Sequence, residues 1–584
     1  MPTSLAEGNS LMAIEIGAIN TRAAYFDVVE GRYRFIGVGQ SPTTSNAPVH
    51  NAMIGVQLAI ENLQNLIGKP LMDEEGRLII PSLPDGSGVD NMVGTLSVGA
   101  AIKTLVVGLL PDVSGKSIES LAQTSYTQIV DSLKLNDPRH MDEQVNAIVQ
   151  YSPELVLIAG GVDGGASNSI LKLLEVIGLG IYLLPDAKRP VVLYAGNNQL
   201  AREVQSALKN IASHVYVSPN IRPSLDVEDL TPAQRELANI VVKIRQKQMP
   251  DLVQVSELCG GIILPSSYAQ GRMIRFLSSY FSSGKGVLSL DIGASAISMG
   301  ASFGGDLHLN VFPQLGLGEA LSGLLKLTAL DEIVRWLPME ISPERVRDYL
   351  YQKSIYPGVI PASKEELAIE QAIVRRNLQL ATRLMIQRLP GQFRPRSGLL
   401  PSFEPILAGG AAITGAATLA QKLLMLLDGL QPTGIATLAI DQYNLLAMLG
   451  ACVEVNSLLP VQVVDSGALA TLATVISPIS NVSYGTPIVR AKLIYEDGSE
   501  MTSEVKMGNL QILPLENRQS ARLQLRPLQH ADVGLGPGRA GEVEVSGSAM
   551  GVVIDARGRP LQLPSEAAQR RALAKKWLVT LGDD

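Results

Sequence analysis

At 584 residues and 46% hydrophobic content, the chain is too long for a single core and too apolar for disorder. A net charge of −7 argues against a nucleic-acid partner, which needs a basic face. Two cysteines, Cys259 and Cys452, supply neither a disulfide nor a metal framework, so a reducing cytoplasm is the expected compartment.

The leading "MPTSLAEGNS" has no basic region followed by an apolar core, so it does not read as a signal peptide. The next stretch, "MAIEIGAINTRAAYFDVV" (Met12 to Val29), is an apolar strand ending in Glu15, a turn containing Gly17, Asn20, Thr21 and Arg22, and a returning strand. A glycine turn of this kind serves either as a phosphate cradle, because no Cβ blocks the approach of an anion to backbone N–H groups, or as a plain hairpin. "MVGTLSVGAAIKTLVVGLLP" (Met92 to Pro111) is apolar enough to raise a membrane span. Lys103 at its centre would cost about 3 kcal/mol in a bilayer, so a buried helix and no membrane partner are expected.

Further on, "PELVLIAGG" (153–161) and "PVVLYAGN" (190–197) are strands, each followed by a helix-like segment, which predicts a sheet covered by helices. Asp163 with Gly164 and Gly165 reads equally as a ligand-binding turn or a helix cap. Cys259, before Gly260 and Gly261, reads as a small buried apolar residue.

From residue 284 the pattern restarts with "GKGVLSLDIGASAISMGASFGGDLHLNVFP". Glu15 corresponds to Asp291, Gly17 to Gly293 and Ala18 to Ala294, with Ser295 in the second turn. One such hairpin says little, but two, each opening an α/β half, signal a duplication. Two turns facing each other would clamp a nucleotide's phosphates, and a carboxylate at each strand end, Glu15 and Asp291, would hold Mg²⁺ through water. A third glycine turn, "PILAGGAAITGA" (405–416) with Gly409 and Gly410, lies between a strand and a helix, where it would meet the nucleoside. A long helix, "KEELAIEQAIVRRNLQLATRLMIQRL" (364–389), has apolar spacing near 3.6. Beyond residue 459 short β-rich runs alternate with Gly, Pro and Asp-Gly turns, and "SEAAQRRALAKKWLV" closes the chain as a charged helix. Arg539, Arg557 and Arg559 in that tail read as solvated turn charges.

The order of acid-x-Gly hairpin, second Asp-x-Gly hairpin and AGG turn resembles the actin–Hsp70–sugar-kinase ATPase superfamily. More closely, the chain is similar to the glutamate mutase L (MutL) group of cobalamin mutase-associated proteins. "GAAIKTLVVGLLPDVSGKSIESLA" (99–122), "PELVLIAGGVDGGASNSIL" (153–171), "YPGVIPASKEELAIEQAI" (356–373) and "GIATLAIDQYNLLAMLGA" (434–451) carry that resemblance. It implies an α/β fold with a duplicated ribonuclease-H-like, actin-like two-lobed core and a C-terminal β-rich domain. The expected divisions are a first lobe over 1–283, a second over 284–458, a β domain over 459–565 and a terminal helix over 566–584. It also implies ATP and Mg²⁺ as ligands and a subunit of an adenosylcobalamin-dependent mutase as partner, with a homo-oligomer left open.

The implied site comprises Glu15 and Asp291 as catalytic and metal-proximal acids. Gly17, Asn20, Thr21, Arg22, Gly293, Ser295, Gly409 and Gly410 would bind the nucleotide. The chain departs from the family pattern where the first hairpin replaces a Ser-Thr pair by Ala18-Ile19. The second replaces two threonines and an aspartate by Ala296, Ile297 and Ser298. Loss of those groups weakens the case for hydrolysis. Two functions are therefore carried forward: an ATP-binding accessory or reactivating factor, and a degenerate scaffold of the same fold that does not hydrolyse ATP.

Overall fold

The computed structural model describes residues 8–165, 167–281 and 284–583. Most of the leading segment and the expected division at 283 fall outside the described residues.

The first sheet places Leu11–Ile16 at its centre, with Asn20–Val29 and Arg32–Pro42 on one side as an antiparallel meander. Asn91–Leu96 and Ile263–Pro265 lie on the other side, parallel to the central strand. In chain order the strands lie 3-2-1-4-5. The second sheet repeats this order with Gly286–Ile292 at the centre, Ile297–Phe303 and Asp306–Phe312 on one side as an antiparallel meander, and Phe403–Gly409 and Gly434–Ile440 on the other, parallel to the central strand. The repeat inferred from the two hairpins is thus a repeat of whole five-stranded units.

Each unit buries both faces of its sheet. The helix Ala52–Ile67 lays Val56, Ala59, Ile60 and Leu63 against the first sheet. The 25-residue helix Lys364–Arg388 buries Ile369, Ile373, Leu378 and Met385 against the second. The helices Ser266–Tyr280 and Leu445–Cys452 fill the space between the units, where Met273, Ile274 and Leu277 share a core with Leu445, Met448 and Leu449.

Between the fourth and fifth strands of the first unit the chain leaves to build an insert. Its five strands are Thr127–Lys134, Ile102–Gly108, Leu155–Ala159, Val191–Tyr194 and His214–Val217, all parallel, in the order 2-1-3-4-5. Met92 to Pro111, read as a buried helix, is instead two strands, Asn91–Leu96 in the first sheet and Ile102–Gly108 in the insert. Strands buried on both faces read as continuous apolar runs, which periodicity does not separate from a buried helix. No helix among the described residues is long and apolar enough to cross a membrane. The insert also reaches the second unit: Val311 N–H donates to the Gln123 carbonyl at 2.8 Å, and Tyr126 packs on Ala296 and Val311.

The tail is β-rich and woven into the second sheet. Ala470–Ser477 pairs with Gly434–Ile440, and Val552–Asp555 and Leu510–Leu513 extend the same sheet. Glu500–Lys506, Pro487–Tyr495, Ser520–Pro527 and Gly541–Ser546 form a separate antiparallel sheet. Arg557 and Arg559, read as solvated, are buried: Asp555 accepts from both, at 2.8 and 2.7 Å, and Arg557 also pairs with Asp428 at 2.8 Å. Arg557 stacks on Trp577 of the closing helix Ala567–Thr580. The partner carboxylate Asp428 lies far away in sequence, so local composition did not reveal it; Arg539 is exposed, as expected.

Candidate functional site

The two hairpin turns have one backbone design. Glu15 is opposite Arg22 and Ile16 opposite Thr21; Asp291 is opposite Ser298 and Ile292 opposite Ile297. Gly17 N–H donates to the Asn20 carbonyl at 2.9 Å, and Gly293 N–H to the Ala296 carbonyl at 3.0 Å. A Cβ on residue 17 would stand 2.7 Å from the Asn20 oxygen, closer than a side chain tolerates, which is why this turn needs glycine. These bonds occupy the N–H groups of both turn glycines. The next two N–H groups of each turn, on Ala18 and Ile19 and on Ala294 and Ser295, bond to no described residue.

The expected site residues divide into two sets. Thr21 is 1% exposed and faces away from the turn; its hydroxyl meets that of Thr43 at 3.0 Å, and Thr43 donates to the Gly17 carbonyl. Asn20 contributes its backbone carbonyl to the turn. Glu15, Arg22, Asp291, Gly409 and Gly410 gather instead beneath the turns, with two residues the sequence did not single out, Asp441 and Asn444. Arg22 donates to Glu15 at 2.9 Å, and the Asn444 amide bridges the Gly410 N–H to Glu15. Gly410, at φ +96°, lies so close to the Ile292 backbone that a Cβ would be 2.4 Å from its carbonyl oxygen. That glycine lets the chain leaving Phe403–Gly409 pass against the end of the central strand Gly286–Ile292. Asp441 caps the helix Leu445–Cys452, accepting from the N–H groups of Leu445 and Leu446. An acid three residues before Asn444, at a strand end and ahead of an apolar helix, was the available signal.

The cluster therefore holds three carboxyls, Glu15, Asp291 and Asp441, and one cation, Arg22. Burial, then the neighbouring Glu15 carboxylate, pushes Asp291 up to about 7, with Arg22 acting in the opposite sense. Burial pushes Asp441 up to about 6 against its two backbone donors. Asp291 Oδ1 is buried without a hydrogen-bond partner. Glu15, Asp291, Asp441 and Gly409 line a space of about 10 Å³, enough for one water. Among the described residues no three His, Cys, Asp or Glu side chains converge to hold a metal ion. With Glu15 held by Arg22, these acids do not fit a protein-built Mg²⁺ cage.

Above the cluster, a cavity of about 810 Å³ opens between the turns, lined by Ala18, Ile19, Ala294 and Ser295. Lys103 from the insert and Lys326 and Arg388 from the second unit line it, against the carboxylate of Glu319. Ile297 is fully buried in the second core and leaves the gap open, whereas Ile19 forms part of its wall. The volume lies in the range of small-molecule sites. Lys103, first noticed as an obstacle to membrane insertion, is thus a cavity cation. Cys259 is fully buried, and burial pushes its thiol up to about 12.

Two 3-2-1-4-5 units, each opening on a glycine hairpin and facing each other across a cavity, define the duplicated ribonuclease-H-like architecture of actin-like ATPases. The chain belongs to the MutL family: the family model described as "MutL protein" matches residues 11–467. Protein MutL of Clostridium tetanomorphum is 22% identical over 185 residues, 31% of this chain, and the match spans only 37% of that relative. Among solved structures, nucleotide-free acetone carboxylase aligns with 11% identity over 86% of this chain and 81% of its own, at a TM-score of 0.32. Component A of (R)-2-hydroxyglutaryl-CoA dehydratase from Acidaminococcus fermentans aligns with 8% identity over 76% and 97%, at a TM-score of 0.25. A glycerol dehydratase reactivase aligns with 12% identity over 71% and 94%, at 0.27. At such scores the fold assignment stands on strand order and register.

Proposed function

We propose that this chain is a nucleotide-binding accessory protein for an adenosylcobalamin-dependent mutase, and that nucleotide binding rather than hydrolysis sets its state. The observation that carries the reading is the facing pair of turns, with unbonded N–H groups at Ala18, Ile19, Ala294 and Ser295 bordering the cavity of about 810 Å³. Those N–H groups would hold phosphate oxygens, and Lys103, Lys326 and Arg388 would balance their charge. Bound ATP would bring its own Mg²⁺; this chain's share is to orient the phosphates from both units. Neither Glu15 nor Asp291 lines the cavity, so no water-activating step is assigned to them. Membership of the MutL family supports the mutase partner.

Equilibrium dialysis with ATP, with and without Mg²⁺, tests the binding. Saturable binding that weakens in Lys103→Ala/Lys326→Ala supports the reading; no binding at about 1 mM ATP, a ΔG near −4 kcal/mol, defeats it. A co-purification that recovers no mutase subunit removes the partner assignment. The second reading, a scaffold without nucleotide, is favoured by Ile19 in the cavity wall and by the pairing of Glu15 with Arg22. Absence of ATP binding together with recovery of the mutase would establish it.

A further inference from the structure

A second large cavity lies on the second unit. It is bounded by the helix Lys364–Arg388, the loop 391–400, the end of the helix Leu419–Leu430 and the tail segment 560–563, with a volume of about 990 Å³. Its lining carries five guanidinium groups, Arg335, Arg376, Arg383, Arg394 and Arg396, and one carboxylate, Glu332. Five positive charges against one negative leave an excess of four on a chain whose net charge is −7.

The protein's own groups do not neutralise that excess. Glu332 is shared between Arg335 and Arg376, at 3.1 and 3.3 Å. Among the described residues the Arg394 guanidinium donates to the backbone carbonyls of Gln387 and Leu389 and to no carboxylate. Arg383 and Arg396 are exposed and have no carboxylate partner among the described residues. The positive charges of Arg383 and Arg335 add to burial in holding Arg376 below the usual arginine range. Two further polar groups of lining residues are buried and unpartnered: Trp336 Nε1, in a residue 9% exposed, and Thr382 Oγ1, in one 6% exposed. Both atoms lie beneath the cavity surface rather than on it, so the exposed guanidinium groups of Arg383, Arg394 and Arg396 are what the cavity presents to an anion. Leu399, Leu400, Leu561 and Leu563 give part of the wall an apolar surface, beside the amides of Gln379, Gln387, Gln431 and Gln562.

We propose that this cavity binds a small organic polyphosphate, its phosphates held by the arginines and its less polar body laid against the leucine wall and Trp336. Planar guanidinium forks match phosphate oxygens two at a time, and an excess of four cations suits a group bearing several negative charges. The volume fits a single small molecule of that class. Because residues 560–563 form one wall and Leu561 N–H is already tied to Gln431 at 2.7 Å, the occupant would join the tail to the second unit.

Inorganic tripolyphosphate is the probe, titrated into the full chain by calorimetry and followed by Trp336 emission, with Trp336→Phe as the control for the optical signal. Arg383→Ala/Arg396→Ala removes two cations that hold nothing else together, so an unchanged melting temperature is expected. Affinity should fall at least about tenfold in that variant, consistent with the loss of charge-assisted hydrogen bonds. In Lys103→Ala/Lys326→Ala, which alters the hairpin cavity, binding at the second cavity should persist. The reverse pattern, retained affinity in the arginine variant and loss in the lysine variant, would overturn the proposal and place the anion between the hairpins. No heat and no emission change at about 1 mM probe would also overturn it. Tighter binding of an acidic peptide than of tripolyphosphate would overturn it in favour of a protein partner. Because the two variant pairs act on separate cavities, failure here leaves the nucleotide reading to its own test.

Discussion

The two glycine hairpins share strand register and turn hydrogen bond, yet their acids live in opposite electrostatic settings. The cross-strand neighbour of Glu15 is Arg22, which forms an ion pair with it; that of Asp291 is Ser298, whose hydroxyl donates to Gln270 instead. One position in the register thus gives the first acid a bonded cation, while burial, then the Glu15 carboxylate, pushes the second up to about 7. Backbone architecture survives sequence divergence because it rests on glycine turns and apolar strands, whereas the charge state of a buried acid depends on its desolvation and on every charged or hydrogen-bonding group around it.

The strongest way to break the comparison is to give the first hairpin the setting of the second. Arg22→Ala leaves Glu15, 3% exposed, without its cation and beside two more carboxyls. A loss of about 3 kcal/mol in urea unfolding at pH 7 is expected, as when one partner of a buried pair is removed. A loss below about 1 kcal/mol would mean that the pair behaves as a surface one.

The second test removes the charge of the other acid. A carboxyl whose pKa is higher in the folded chain contributes its stabilisation fully below its unfolded value of 3.8 and loses it as pH rises through about 7. Asp291→Asn should therefore be more stable than the parent at pH 8, by roughly 2 kcal/mol, with the gap closing towards pH 5. Melting temperatures from pH 5 to 8 in EDTA provide the readout. A variant that is less stable at pH 8 would show that Asp291 is held charged.

The smallest effect sharpens the backbone half of the comparison. Alanine at 17 would meet the Asn20 carbonyl at 2.7 Å, while alanine at 293 would stand 3.2 Å from that of Ala296. Gly17→Ala is expected to cost about 1 kcal/mol and Gly293→Ala a few tenths, by thermal unfolding, in proportion to the strain each turn must absorb. Equal costs would mean that the turns relax alike.

The hairpins, their pairing and the AGG turn were legible because strand, acid and glycine recur at fixed spacing, and turn geometry fixes the register. What the sequence hid depends on distance in space. Arg557 reads as a turn charge despite Asp555 two residues before it, because only the fold brings Asp428 and Trp577 around it, and Asp441 reads as one acid among many until the helix Leu445–Cys452 begins on it. Thr21 was expected to bind nucleotide from the family's hairpin pattern; its hydroxyl meets Thr43, a partner that the pattern does not contain. The run containing Lys103 was legible as buried but not as β, because a strand covered on both faces loses its alternation.

The insert is rooted in the first unit between two of its strands, yet Gln123 and Tyr126 are fastened to the second unit at Val311. The same insert supplies Lys103 to the cavity between the turns. It is therefore a strut between the units: they cannot separate without releasing the Gln123–Val311 hydrogen bond and uncovering Tyr126. Cavity width and strut attachment form a single mechanical coordinate. A displacement of the insert would move Lys103 relative to both hairpins without touching either.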